Sequence, residues 1–106
     1  MITEIVTFSL PKGMSREEAA AKMEKTVSIW QSNPDLIRKN YLLDADKGIA
    51  GGVYLWRERA HAEKWHGAEF RSRIKEIYGS EPSSQFFDTP LVIDNAAGEI
   101  VKAEPA

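Results

Sequence analysis

The chain has 106 residues, with 14 Lys and Arg against 16 Asp and Glu, and no cysteine. This length fits one domain, and a net charge of −2 gives no attraction for nucleic acid or an anionic membrane. The absence of cysteine excludes disulfides, thiolate metal sites and a cysteine nucleophile. The N-terminus lacks a signal-peptide pattern, and no segment approaches the roughly 20 apolar residues of a membrane span. We therefore expect a cytoplasmic protein.

The first third of the chain predicts a strand followed by a helix. Residues 2–10 are rich in β-branched and aromatic side chains and end at a Pro-Lys-Gly turn. Ser15 and Glu18 then form the S-x-x-E pattern of a helix start. Apolar residues recur at three- and four-residue spacing and predict one buried helix face: Ala19, Met23, Val27 and Trp30. Pro34 ends this helix, because the residue before a proline is pushed out of the helical region.

The middle of the chain predicts a β-hairpin. Residues 36–44 alternate, with one side made of Ile37, Tyr41 and Leu43 and the other of Arg38, Asn40 and Leu42. A turn over residues 44–48 leads into a returning strand over residues 49–57, which contains a Gly-Gly step and ends near a tryptophan. Glycine pairs in a strand let another backbone or a ligand approach closely.

The last part predicts a bent helix, a strand and a tail. The helix begins near Glu58, passes Trp65, bends at Gly67 and ends before Pro82. Residues 84–93 predict one strand, in which a proline indicates an edge or a bulge. We expect residues 1–94 to form the domain and residues 95–106 to form a C-terminal tail that packs on a partner subunit.

The order β-α-β-β-α-β predicts an α+β fold of the ferredoxin-like type, an antiparallel sheet with both helices on one face. The other face of the sheet would be bare in a monomer. A second copy of the same sheet is the simplest cover for it. We therefore expect a homodimer.

Several stretches resemble the YdhR-like family of the dimeric α+β barrel superfamily. The resemblance is carried by residues 50–56 (Ala-Gly-Gly-Val-Tyr-Leu-Trp), residues 31–34 (Gln-Ser-Asn-Pro) and the pair Phe87-Asp88. It extends from about Ala19 to Ala97. It implies a homodimeric barrel with a pocket between sheet and helices in each subunit. It also implies mono-oxygenase chemistry, inferred from relatives that oxidise aromatic polyketides without metal or flavin.

The resemblance can be followed residue by residue. The strand tryptophan of the antibiotic-biosynthesis relatives matches Trp56, but their asparagine falls on Gly52 and their helix tyrosine near Ala62. Their helix arginine has no clear match. The haem-degrading branch has a helix tryptophan that matches Trp65, whereas its iron-binding histidine falls near Lys75. The resemblance therefore favours quinone-forming oxidation over haem cleavage.

The candidate site residues are aromatic and polar side chains of the hairpin and the second helix. A histidine titrates near neutral pH and can take a proton from a phenol, so His66 is the candidate base. Tyr54 or Asn40 is the candidate donor to the oxyanion. The candidate substrate contacts are Trp56, Trp65, Tyr41 and Phe70. The alternative for the tryptophans is core packing, and for the tyrosines a dimer interface. His61 is expected at the surface.

The functional hypothesis is a mono-oxygenase without metal, flavin or other cofactor, acting on a small hydroxylated aromatic or polyketide-like compound. A deprotonated phenol can itself pass an electron to dioxygen, so the protein need only assist deprotonation and exclude water. The alternatives are a non-catalytic dimeric module that binds a small ligand, and isomerase or lactone chemistry. An RNA-binding function is excluded, because residues 48–53 lack the basic-glycine-aromatic pattern.

Overall fold

A computed structural model describes residues 1–103 of the chain. It has six strands and four helices: β1 (Ile2–Ser9), α1 (Arg16–Glu24), α2 (Val27–Gln31), β2 (Leu36–Asp44), β3 (Ile49–Trp56), α3 (Arg59–Trp65), α4 (Ala68–Tyr78), β4 (Ser83–Asp88), β5 (Leu91–Asp94) and β6 (Glu99–Lys102). Within these residues, no helix is both long enough and apolar enough to cross a membrane.

The fold is an antiparallel four-stranded sheet in the order β2-β3-β1-β4, with helices packed on one face. The α+β prediction is thereby confirmed. Strand alternation puts Val6, Tyr54 and Trp56 on the helix side, where they pack with Ala62. The opposite face carries partly exposed side chains such as Phe87, and no second copy is part of this structure.

Local signals set most helix ends. Ser15 Oγ accepts a hydrogen bond from the amide of Glu18 at 3.1 Å, and the Glu18 carboxylate accepts one from the amide of Ser15. This is the predicted capping box. The helix predicted to run to Trp30 is instead two helices, because the chain breaks at Thr26, whose hydroxyl donates to the carbonyl of Met23. The predicted break at Gly67 separates α3 from α4.

The strand predicted over residues 84–93 is two strands. β4 ends at Asp88, and after Pro90 the chain forms β5, which pairs with β6 in a separate hairpin. A proline has no amide hydrogen to donate to a ladder, so the strand is interrupted there. The predicted tail therefore contains the strand β6 over part of its length. Its residues 104–106 lie outside the described part of the chain.

The alternation predicted for β2 is interrupted once, at Ile37. The pairing to β3 shifts between Leu36 and Arg38, so Ile37 is a bulge residue and is 40% exposed. Leu36 takes its place against the core. From Arg38 onwards the alternation is as predicted, with Tyr41 and Leu43 on the helix side.

Gly51 is required by the close approach of β1 to β3. A Cβ atom at this position would lie 1.8 Å from the carbonyl oxygen of Val6, a backbone atom that cannot rotate away. The Gly-Gly step therefore serves sheet packing at its first glycine.

We expect Gly51→Ala to lower the free energy of unfolding by about 3 kcal/mol, because overpacking against backbone forces the central strands apart. Urea denaturation followed by circular dichroism measures the change. Gly67→Ala is the matched control: its Cβ would lie 3.3 Å from the carbonyl of Glu63. This control should cost about 1 kcal/mol. Equal losses in the two variants would contradict the close-approach explanation.

Candidate active site

A cavity of about 320 Å³ lies between the helix side of the sheet and helices α1, α2 and α4. This volume is at the lower end of the range for small-molecule pockets. Six aromatic side chains contribute to its lining: Phe8, Trp30, Tyr41, Tyr54, Phe70 and Tyr78. An aromatic lining of this kind suits a flat, apolar ligand.

Lys39 brings an amine into this aromatic cavity. Its Nζ atom lies 3.8 Å from the ring centre of Tyr41, 4.6 Å from that of Tyr54 and 4.7 Å from that of Trp30. Within residues 1–103 it forms no ion pair with a carboxylate. Loss of water on burial lowers the pKa of Lys39 to about 7. The aromatic faces attract the ammonium form, so both protonation states are accessible near neutral pH.

Two of the cavity tyrosines, Tyr54 and Tyr78, remain protonated at neutral pH. Burial raises the pKa of Tyr54 well above its usual range, with further contributions from Tyr41, Glu4 and Tyr78. Burial likewise raises the pKa of Tyr78. The Tyr41 hydroxyl shares a hydrogen bond of 2.6 Å with the Thr26 hydroxyl. A phenol that stays protonated keeps its O–H as a hydrogen-bond donor. Tyr54 can therefore donate a hydrogen bond to an oxygen anion on a ligand.

Trp30, Tyr54 and Phe70 form the wall of the cavity on one side. Behind this wall lies a buried carboxylate, Glu4, which is 0% exposed. Its Oε1 atom accepts a hydrogen bond of 3.0 Å from the indole of Trp56 and lies 2.6 Å from Nδ1 of His66. Within the described residues, Oε2 of Glu4 and Nε2 of His66 have no partner. Glu4 therefore connects the centre of the sheet to the C-terminal end of α3.

The ring of His66 is enclosed by the aromatic residues of the wall. Its centre lies 4.1 Å from that of Phe70, 4.3 Å from Tyr54 and 5.3 Å from Trp30. These three residues line the cavity, whereas His66 stands on their far side. His66 therefore supports the wall from behind.

The structure brings together some of the predicted site residues. Tyr54, Tyr41 and Phe70 line the cavity, and His66 and Trp56 form the layer behind them. The two other candidates lie elsewhere. Asn40 faces the opposite side of the sheet, where it accepts a hydrogen bond from Arg38. Trp65 is 37% exposed and donates a hydrogen bond to Asp35.

The sequence-based prediction missed Lys39. The signal was available, because Lys39 precedes Tyr41 and Leu43 at two-residue spacing and so shares their side of the strand. Gly52 gives this side chain room: a Cβ atom there would lie 3.1 Å from Cε of Lys39 and 3.0 Å from the ring of Tyr54. Lys39 thus occupies space beside the position where the resemblance places an asparagine.

A family model described as "Putative mono-oxygenase ydhR" matches residues 5–94 of the chain. Among solved structures, the chain is similar to SnoaB, described as a cofactor-independent oxygenase from Streptomyces nogalater and solved as an asparagine-to-alanine mutant. The TM-score is 0.59 at 14% identity, and the match covers 83% of this chain and 91% of SnoaB. At this identity the likeness shows the fold. No curated protein sequence matches the chain.

We expect Glu4→Ala to lower the free energy of unfolding by about 3 kcal/mol, because it removes the acceptor of two buried donors, on Trp56 and His66. Urea denaturation followed by tryptophan fluorescence measures the loss. Glu76→Ala, at an exposed position of α4, is the control and should change stability by less than about 0.5 kcal/mol. A similar, small effect of both substitutions would contradict a structural role for Glu4.

Proposed function

The chain belongs to the family described as "Putative mono-oxygenase ydhR", and we propose that it oxidises a small hydroxylated aromatic or polyketide-like compound with dioxygen, without metal or flavin. The observation that carries this proposal is Lys39, an amine with a pKa lowered to about 7 inside an aromatic cavity. A buried lysine of this kind is typical of a general base.

The reaction follows from deprotonation of the substrate. The phenolate passes one electron to dioxygen, which gives a phenoxyl radical and superoxide. The two combine at a ring carbon that carries hydrogen. Loss of water then leaves a second carbonyl, so a phenol and O₂ give a quinone and H₂O. The substrate supplies all the electrons, and the protein supplies a base, an oxyanion donor and a dry site.

The energetics of the proton transfer favour a base inside the cavity. Transfer from a phenol of ordinary pKa, near 10, to an amine of pKa about 7 is unfavourable by about 4 kcal/mol for separated groups. In the cavity, the ammonium that forms lies beside the phenolate. Their attraction at low dielectric can offset a cost of this size. A hydrogen bond from Tyr54 would stabilise the phenolate further.

In this proposal the predicted roles are redistributed. Lys39 replaces His66 as the base, because His66 is engaged with Glu4 and lies behind the cavity wall. Tyr54 keeps the role of oxyanion donor, with Tyr41 and Phe70 as substrate contacts. Trp56 acts as support for the wall. Asn40 and Trp65 receive no role in this proposal, because neither lines the cavity.

Two other functions use the same site. The resemblance places polar residues of the oxygenase relatives at Gly52 and near Ala62, which supports a module that binds a small ligand without turning it over. Lys39 could equally move protons in isomerase or lactone chemistry, which consumes no oxygen. Oxygen uptake distinguishes the three functions: the oxygenase consumes O₂, an isomerase converts its substrate under nitrogen, and a binding module does neither.

We expect Lys39→Met to reduce oxygen uptake with di- and trihydroxylated naphthalenes by at least about 100-fold, because it removes the general base. An oxygen electrode measures the rate, in the presence of a chelator. Lys47→Met, in the exposed β2–β3 turn, is the control and should retain the activity. Full activity of Lys39→Met, with activity lost in His66→Gln, would return the role of base to His66.

This proposal fixes the direction in which kcat/KM changes with pH. The base is the neutral amine, so kcat/KM should rise about tenfold per pH unit below pH 7 and level off above the pKa of Lys39, about 7. A profile that falls through this range would show that the ammonium form is the active one. The substrate must not itself titrate over this pH range. A methoxy-substituted phenol of high pKa meets this condition.

We propose further that the protein is a homodimer joined through the open sheet face and the β5–β6 hairpin. This surface exposes large apolar side chains: Ile49 and Phe87 of the sheet, and Leu91, Ile93 and Ile100, which share one face of the hairpin. Phe87 is 52% exposed and Ile100 is 67% exposed. Large exposed apolar side chains on a sheet face and a hairpin support an interface there.

We expect Phe87→Asp to shift the protein from dimer to monomer, because a charge in a buried interface has no partner. Light scattering coupled to size-exclusion chromatography measures the mass. Ala60→Asp, on the exposed first turn of α3, introduces the same charge where a carboxylate is favoured, and should remain dimeric. A monomeric wild-type protein at micromolar concentration would contradict the proposed dimer.

A further inference from the structure

The charges that line the cavity are all of one sign. Lys22, Lys25, Lys39 and Arg73 contribute to its lining, and within residues 1–103 no Asp or Glu does. The chain as a whole has the opposite balance, with 16 acidic against 14 basic side chains. The cavity is therefore a local concentration of positive charge in an acidic protein, a pattern that draws in anions.

Three of these cations lie away from the amine of Lys39, on the helix layer. Lys22 is on α1, Lys25 caps its C-terminal end, and Arg73 is on α4. Lys25 and Arg73 are exposed and Lys22 is half-buried, so their charged ends can reach solvent at the mouth. Apolar space thus lies between the inner amine of Lys39 and an outer set of cations.

These mouth cations are only weakly paired within the protein. Lys22 and Lys25 form no ion pair within the described residues. The Nη2 atom of Arg73 lies 4.0 Å from Glu69, whose side chain is 94% exposed and contributes little at that distance. Lysines in the last turn of a helix also stabilise the helix dipole, which would account for Lys22 and Lys25 but not for Arg73 in the middle of α4.

We propose that the cavity selects anionic aromatic compounds, with the ring system inside and a carboxylate held at the mouth by Lys22, Lys25 and Arg73. This inference deepens the proposed function and rests on it for the reaction that follows binding. A carboxylate fits better than a larger polyanion, because the cavity is mostly apolar and the mouth cations come singly from separate positions. The anion would also fix which end of the ring system reaches Lys39.

Binding of a matched pair of probes tests the proposal without any turnover. The probes are 2-naphthoate and its neutral amide, 2-naphthamide, titrated by calorimetry in 20 mM and 500 mM salt. We expect the wild-type protein to bind the carboxylate about tenfold more tightly than the amide at low salt, with the preference reduced at high salt. Equal affinities, or no binding of either probe at millimolar concentration, would overturn the proposal.

Two triple variants distinguish the mouth from the overall charge. Lys22→Gln/Lys25→Gln/Arg73→Gln should bind both probes equally. The control removes three exposed lysines that do not line the cavity, Lys12, Lys47 and Lys64, each replaced by Gln. It should keep the preference for the carboxylate. An equal loss of preference in both triple variants would overturn the proposal.

Thermal melting of the same variants separates binding from helix stability. If the lysines served only the dipole of α1, the mouth variant would melt at a lower temperature and its preference for the carboxylate would be unchanged. That result would overturn the proposal. Failure of the oxygenase function is distinguishable, because it would leave selective binding of 2-naphthoate intact while oxygen uptake is absent.

Discussion

The cavity depends on the hydrogen bonds that the buried carboxylate of Glu4 makes with Trp56 and His66. An ionised carboxylate without water is unfavourable by several kcal/mol unless donors surround it. Here the donors are the indole of Trp56 and the imidazole of His66, so the central strand, its neighbour and the end of α3 meet at one atom. His66 in turn packs against Tyr54 and Phe70, which face the cavity. The cavity wall is thus fixed by a contact that a ligand would not touch.

Lys39, like Glu4, is an ionisable side chain next to the aromatic wall, but it lies on the cavity side of that wall. Both are ionisable residues inside an aromatic layer, but Glu4 has hydrogen-bond partners on Trp56 and His66, whereas Lys39 has only ring faces. Burial without a counter-ion is unfavourable for stability, and it is also what lowers the pKa of the amine towards neutrality. Local conflicts of this kind are expected at functional sites, where stability is given up for reactivity.

The sequence predicts the framework better than the site. Alternation in β2 and β3 and the capping box at Ser15 are short-range signals, and they were sufficient for the α+β sheet. The break at Thr26 and the interruption after Asp88 have local causes, the Thr26 hydroxyl and Pro90, although the sequence predicts one helix and one strand there. For the site, Tyr54, Tyr41 and Phe70 follow from alternation and helix spacing. The Glu4–His66 contact joins residues 62 positions apart, so only the folded chain reveals it.

The bulge at Ile37 decides which basic residue of β2 enters the cavity. Leu36 and Lys39 both face the helices although they are three residues apart, an odd spacing that a regular strand of period two cannot place on one face. The extra residue at Ile37 restores the alignment. The same shift turns Arg38 to the outer face, where it reaches Asp94 of the β5–β6 hairpin at 3.5 Å. One irregularity therefore sets both the amine that enters the cavity and the arginine that reaches the hairpin.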